Sequence, residues 1–420
     1  MRKKVLIMQR LILHSDLNCF YASVECLLNP KYKNRPAAVC GDPGKRHGII
    51  LAKNYIAKSF GVATGETVWQ ARSKCPSLVL FPARFEVYKY YSAKVREIYY
   101  RYTNLVEPYG LDEAWLDISK PNGDFDYAMN TAQKISDTIK KEIGLTVSIG
   151  VSFTKSFAKL GSDYKKPDAI TLITPENFKK IVWPLKVSNL IYAGKATTKT
   201  LNKLGIYTIG DLAEADERCI KAHLGKNGDR LRLWAGGKDF EPVRDYIDRA
   251  EIKSVGNSVT LPYDIYNDDD IAITLMILSE SVASRLREKK LMCSTVHIEI
   301  KEKELIRFSG QKRLSFPTCV SEDIYNAADE LFRAKRREGK MIRALGVRAG
   351  DLESSQVMQL SIDPDFNRSM KQLKLDEMLD GIRKKYGYDS VKRCIMLLNT
   401  DLSKMNPIAD NTVYPGGFVY

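Results

Sequence analysis

The chain has 420 residues, too many for one comfortable core and enough for two to four domains. Hydrophobic residues make up 44% and charged residues 28%, which excludes a disordered or fibrous chain. A formal net charge of +15, from 66 Lys and Arg against 51 Asp and Glu, points to a polyanion, either nucleic acid or an acidic membrane surface.

In chain order, a short buried strand is expected over 11–15, then a polar turn and a helix through Ala22, Val24, Glu25 and Leu28 to Pro30. A strand over 36–40, a turn carrying Gly41, Gly44 and Gly48, and a strand over 49–52 follow. Next come an amphipathic helix over 86–102, a hairpin-like segment over 106–118, a helix over 128–143 and an apolar strand over 146–151. Mixed strands and crossover helices indicate an α/β or α+β catalytic domain. From 170 to 240 the pattern turns to short helices punctuated by glycine, a small all-helical domain, and the charged stretch 239–253 is a linker candidate. Strand 256–261, helix 269–289, strands 294–300 and 304–314, helix 322–336 and strand 342–349 predict a second α/β unit. Residues 351–420 read as a tail with one helix over 373–386.

No apolar run approaches the ~20 residues of a membrane-spanning helix. The apolar start, 5–13, is broken by Gln9 and Arg10 and lacks a small-residue cleavage site, unlike a signal peptide. Eight scattered cysteines form no C-x-x-C pair, and none of the four histidines lies in H-E-x-x-H. That pattern argues against zinc sites and disulfide frameworks, and for a reducing compartment.

Three acids stand where solvation alone does not explain them. Asp16 ends the apolar strand Leu13-His14-Ser15-Asp16, and Asp112-Glu113 head a strand rich in Trp, Leu and Ile. A carboxylate on a buried strand costs several kcal/mol unless a cation or metal offsets it. Oxygen-only ligands suit Mg²⁺, and two such ions can activate a hydroxyl and stabilise a leaving pyrophosphate. Neighbours on a regular strand point to opposite faces, so Asp112 and Glu113 share one site only at a turn or strand entry, which Pro108 and Gly110 favour. The bland reading keeps both as polar ends of a strand.

Asp16-Leu17-Asn18-Cys19-Phe20-Tyr21-Ala22-Ser23-Val24-Glu25 resembles the opening motif of the Y-family DNA polymerases, the UmuC and DinB (DNA polymerase IV) group. Gly110-Leu111-Asp112-Glu113-Ala114-Trp115 is similar to their second motif, and Ser152-Phe153-Thr154-Lys155-Ser156-Phe157-Ala158-Lys159, leading to Lys165-Lys166-Pro167, to a third. Three motifs in order and spacing are specific, and the resemblance spans about residues 10–350.

The resemblance implies an α+β right-hand polymerase: ferredoxin-like palm (1–23 and 79–168), small fingers (24–78), helical thumb with a helix-hairpin-helix (169–240), linker (241–253) and α/β little finger (254–350). It implies Asp16, Asp112 and Glu113 as catalytic metal ligands for two Mg²⁺, which Mn²⁺ can replace, with the Leu17 carbonyl as a backbone ligand. Tyr21 occupies the steric-gate position, and Phe20, Tyr55, Lys58 and Lys166 the positions that contact the nucleotide. Gly194 and Lys195 in the thumb, and Lys312, Arg313, Arg343 and Arg348 in the little finger, match DNA-contacting pieces. In the tail, Gln359-Leu360-Ser361-Ile362 resembles a sliding-clamp peptide that inserts Leu360 and Ile362 into an apolar pocket, although Asp363 stands where an aromatic is usual. The implied partners are primer–template DNA, deoxynucleoside triphosphates and the clamp, with no membrane, for a monomer in a bacterial cytoplasm. Lys58 stands where arginine is usual, and its ammonium cannot make bidentate phosphate contacts. Ala52, Gly110 and Asn18 also depart from the pattern. Two other readings stay open: a DNA-binding scaffold without catalysis, and a nucleotidyl cyclase on a related palm.

Overall fold

The computed structural model describes residues 9–41, 48–244, 252–355 and 364–406. Residues 9–41 and 48–244 belong to one compact unit and residues 252–355 and 364–406 to another.

The first unit opens with β1 (Ile12–Leu17) and α1 (Phe20–Leu28). β2 (Ala37–Cys40), β3 (Ile50–Lys53), α2 (Tyr55–Ser59), α3 (Val68–Lys74) and β4 (Val79–Pro82) then build a three-stranded sheet, order β3-β2-β4. This small lobe has its own core around Ile50, Val62, Ala71 and Leu78. The chain continues through α4 (Phe85–Tyr99), β5 (Val106–Pro108), β6 (Glu113–Asp117), α5 (Phe125–Ile143), β7 (Val147–Ser152), α6 (Lys155–Tyr164) and β8 (Ile170–Ile173).

Those strands form a five-stranded sheet, order β5-β6-β1-β7-β8, with β1 antiparallel to both neighbours. β1 is buried along its whole length because both faces are covered. Leu13 and Leu17 pack with Tyr88 and Val95 of α4 and Ile135 of α5, whereas Ile12 packs with Ala158 of α6. Side chains alternate along a strand, so His14 and Asp16 share the α6 face with Ile12. α6 comes unusually close there. A Cβ built on Gly150, which pairs with His14 across β1 and β7, would stand 1.9 Å from the Ala158 carbonyl oxygen. Glycine is what lets the helix backbone rest on the strand.

α7 (Phe178–Val182), α8 (Lys195–Lys203), α9 (Ile209–Glu214) and α10 (Glu217–Ala235) complete the first unit around Leu201, Ile209 and Leu231. This is the short-helix region expected from the glycine spacing, and Gly225, at φ 60°, breaks α10.

The second unit holds β9 (Ser254–Ile265), α11 (Asp268–Glu288), β10 (Leu291–Glu302), β11 (Arg307–Thr318), α12 (Ser321–Lys335) and β12 (Ile342–Ser354). Its antiparallel sheet runs β11-β10-β12-β9, and residues of α11 and α12 pack into one core with it. β12 outlasts the expected end at 349 because β10 keeps offering it a partner as far as Leu291, opposite Ser354. The last helix, α13 (Pro364–Tyr386), begins nine residues before the sequence pattern suggests. The region beyond 364 is also more than a tail. Met396 and Leu402 are fully buried in the second unit's core, and Leu373, Ile395 and Met405 pack against it. Arg287 of α11 bonds Asp376 and Asp380, and Arg393 bonds Glu280 and Asp376. These buried charges are each paired, which is what their burial requires. Among the described residues no helix is long and apolar enough to cross a membrane.

Candidate active site

The three acids meet at the centre of the five-stranded sheet. Asp16 sits opposite Glu113 in the β1–β6 register, on the face that α6 covers. Asp112 precedes the first residue of β6, in the bend that follows Pro108, so strand alternation does not bind it. Its carbonyl accepts from the Leu17 amide at 3.0 Å, and a Cβ built on Gly110 would stand 3.2 Å from its Oδ1. The strand-entry geometry that the sequence required is therefore present, and a serine at position 110 would crowd the Asp112 carboxyl.

Two lysines bind this acid cluster. Lys166 Nζ stands 2.6 Å from Asp16 Oδ2 and 2.7 Å from Asp163. Lys159 Nζ stands 3.2 Å from both Asp16 Oδ2 and Glu113 Oε2, and 3.0 Å from Asp163. Four carboxylates against two ammonium groups leave an excess of two negative charges if all are ionised. The strain shows in the acids. Burial, then repulsion from Glu113, pushes Asp16 up to about 7 and Asp112 up to about 6. Burial opposes the charge of Glu113 as well, but His14 and Lys159 hold it below the usual carboxylate range. Burial likewise lowers the His14 imidazole to about 4, so it is neutral at pH 7.

The donor set suits a hard divalent cation: oxygens only, largely buried, with Glu113 Oε2 lacking any hydrogen bond. As placed, the carboxylates do not close on a single point. Among the described residues no group of three or more His, Cys, Asp or Glu stands ready to hold an ion. A cation held by these carboxylates would compete with the Lys159 ammonium that now bridges Asp16 and Glu113.

The predicted nucleotide contacts line the same region. Tyr21, half-buried on α1, stacks on Tyr88 at 4.4 Å between ring centroids. Burial, then the nearby Asp112 charge, pushes its phenol up to about 12. Phe20, beside it, is buried in the core, 3% exposed, and its ring meets Tyr88 at 6.3 Å, so it supports the tyrosines from behind. Tyr55 opens α2, which Asn54 caps by accepting from the Ala57 amide. Lys58 is exposed one turn on, 5.6 Å from the Tyr55 ring. Burial, then Cys19, raises the Tyr55 phenol, which places Tyr55 beside the β1–α1 turn.

The sequence pattern passed over three supporting groups. Lys159 ends the third motif, yet its bridging role shows only once α6 is laid over β1. Its spacing to Asp163, four residues, was the available signal. Asn18 ties the turn together, donating to Ser148 Oγ at 2.8 Å and accepting from the Asp168 amide at 2.9 Å. Glu25, 1% exposed, accepts from Arg84 at 3.0 Å and from Tyr88 at 2.8 Å. That pair locks the aromatic on which Tyr21 stacks.

The predicted DNA contacts divide. Gly194 caps α8 and Lys195 is its first residue, both exposed beside an open groove lined by Lys199, Lys203 and Tyr207. In the second unit Arg313 and Arg348 are exposed on the sheet face away from α11 and α12, as is Arg307. Lys312 falls on the other face and pairs with Glu330 of α12. Strand alternation places Lys312 and Arg313 on opposite sides. Arg343 is half-buried at the register irregularity near the start of β12. Gln359, Leu360 and Ile362 lie outside the described residues.

Comparison with known proteins decides the family. Residues 15–163 match the impB/mucB/samB family, and residues 252–362 match its C-terminal domain. A DNA polymerase IV from Acetivibrio thermocellus is 46% identical over 399 residues, 95% of this chain and all of that protein. The chain belongs to the Y family of DNA polymerases. DNA polymerase IV 1 of Bacillus subtilis is 36% identical over 391 residues, covering 91% of this chain and 92% of that one. Among solved structures, a Y-family polymerase chimera built from Dbh and Dpo4 superposes with a TM-score of 0.71 at 25% identity, over 81% of this chain and 98% of its own. A Dbh ternary complex, at 24% identity and a TM-score of 0.56, supports the fold alone. As a Y-family member the chain is a DNA-directed DNA polymerase of right-hand α+β architecture, acting on DNA and nucleotides and dependent on divalent metal ions.

Proposed function

We propose that this Y-family polymerase adds deoxynucleotides to a primer 3′ end by a two-metal mechanism, with low fidelity and in tolerance of damaged templates. The observation that carries the mechanism is the acid cluster: Asp16 and Glu113 paired across β1 and β6, with Asp112 adjoining, short of two positive charges. When bound, two Mg²⁺ ions supply activation of the primer hydroxyl and stabilisation of the leaving pyrophosphate. Asp16, Asp112, Glu113 and the Leu17 carbonyl would hold them.

The chain's own side chains do the rest. Tyr21, braced by Tyr88, presents a ring edge that leaves no room for a 2′-hydroxyl. Tyr55, Lys58 and Lys166 face the triphosphate, Lys166 exchanging Asp16 for a phosphate oxygen. Phe20 fixes the base of that wall. Gly194 and Lys195 offer an exposed helix start to a DNA phosphate, and Arg313 and Arg348 a cationic sheet face that reads no sequence. In this reading residues 1–23 and 79–168 are the palm, 24–78 the fingers, 169–240 the thumb and 254–350 the little finger. The fingers are small, and that favours a loose pocket around the nascent pair. Residues 359–362 would engage a sliding clamp, and the enzyme acts as a monomer in a bacterial cytoplasm.

Primer extension with Mg²⁺ on an undamaged template, comparing wild type with Asp112→Ala, tests the mechanism. Extension that vanishes in the variant supports it. Extension that survives Asp112→Ala ends the two-metal assignment.

A further inference from the structure

His14 is fully buried on β1, two residues before Asp16. Trp115 packs against its ring edge-to-face, with centroids 5.0 Å apart. Nδ1 lies 2.8 Å from Ser162 Oγ on α6. Nε2 faces Glu113 Oε2 at 3.4 Å. Neither of those two atoms makes a hydrogen bond as placed, and both are sealed from solvent. A buried polar atom left without a partner is destabilising. Two such atoms facing each other call for one proton between them.

Counting protons places it. A neutral imidazole carries one. On Nδ1, that proton would point at Ser162 and leave the Nε2 lone pair against a carboxylate oxygen. On Nε2, it points at Glu113, and Nδ1 is free to accept from the Ser162 hydroxyl. As placed, the Ser162 hydroxyl donates to the Lys159 carbonyl at 2.8 Å. That carbonyl lies inside α6, whose helical ladder supplies it with a backbone donor. Turned from it, the hydroxyl donates to Nδ1 instead, and of the two neutral tautomers only the second also gives the carboxylate a donor.

We propose that His14, its tautomer set by Ser162, is a positioning residue: its Nε2–H holds Oε2 of Glu113 and so presents the carboxylate to a divalent ion. The inference rests on Glu113 being a metal ligand. The present 3.4 Å gap exceeds a formed hydrogen bond by about 0.5 Å. Lys159 draws on the same oxygen from 3.2 Å, and its release lets the carboxylate settle onto the imidazole. A ligand whose outer oxygen is held by a fixed donor binds metal more tightly than one free to rotate.

The test measures Mn²⁺ binding without turnover, by electron paramagnetic resonance of the free ion. The full chain is titrated in complex with a dideoxy-terminated primer–template and the matching deoxynucleotide. His14→Ala and Ser162→Ala should each weaken Mn²⁺ binding by about tenfold or more. His14→Gln, whose amide N–H reaches the Nε2 position, should recover most of that loss. Wild-type Mn²⁺ affinity in His14→Ala and Ser162→Ala, alongside a lowered unfolding temperature, would overturn the inference and leave His14 a packing residue. Glu113→Gln separates the two layers. If Glu113→Gln loses Mn²⁺ binding while the His14 and Ser162 variants keep it, only the positioning role fails. If Glu113→Gln also binds Mn²⁺ normally, the metal assignment beneath it fails too.

Discussion

Lys159 and Glu113 meet at 3.2 Å, yet they come from a helix and a strand that are 46 residues apart in sequence. The same ammonium reaches Asp16 at 3.2 Å, so one lysine bridges two of the three acids. Removing one partner of a largely buried ion pair leaves the other charge stranded, at about 3–5 kcal/mol. Lys159→Met should therefore lower the unfolding temperature of the first unit in EDTA. Added Mg²⁺ should restore part of the loss in the variant and do less for wild type. Thermal unfolding with and without the ion reads both effects.

Tyr21 is expected to govern sugar selection. Tyr21→Ala should narrow the preference for deoxynucleotides over ribonucleotides by roughly 10–200-fold, the range that shape alone supplies. Tyr21→Phe keeps the ring stacked on Tyr88 and should keep the preference. Single-nucleotide insertion kinetics with dNTP and rNTP give the ratio directly, and unchanged discrimination in Tyr21→Ala would remove Tyr21 from this role.

Gly150 tolerates no side chain. A methyl group placed 1.9 Å from the Ala158 carbonyl forces α6 off the sheet. Gly150→Ala should destabilise by about 1–3 kcal/mol or more, and extension should fall because Lys159 and Ser162 ride on the displaced helix. Denaturant unfolding gives the first number, and primer extension below the transition the second.

Truncation at 355 probes the other end of the chain. It removes Met396 and Leu402 from the core of the second unit. Leu402→Ala alone should cost about 2–5 kcal/mol. The truncated protein should show a lowered transition for the second unit with the first unit's unchanged. Equal transitions in full-length and truncated protein would mean that residues 364–406 add nothing to that core.

Much of this was legible in the sequence because it was local. β1 announces itself as an apolar run that ends in an acid, and α5 and α12 follow their helical periodicity closely. The placement of Asp112 ahead of its strand followed from Pro108 and Gly110. What could not be read depends on partners distant in sequence. Lys159 and His14 look like ordinary helix and strand residues until α6 is laid across β1. Lys312 and Arg313 look equivalent in sequence, yet strand alternation sends one to Glu330 and the other to solvent. The first turns of α13 escaped because they dock through polar groups rather than hydrocarbon: Arg368 and Gln372 bond Glu322, and Ser369 bonds Asp323. Periodicity of apolar residues leaves such a segment unmarked.

The burial of Met396 and Leu402 sets an order of events during synthesis. The first unit has all its described residues by 244, whereas β9, from Ser254, lacks part of its core until Leu402 has been made. At elongation rates of about 5–20 residues per second, that interval is on the order of 10 s. Through it a cationic sheet stays incompletely backed while the catalytic half is free to close. The newborn chain therefore holds a finished acid cluster before it has a finished second half.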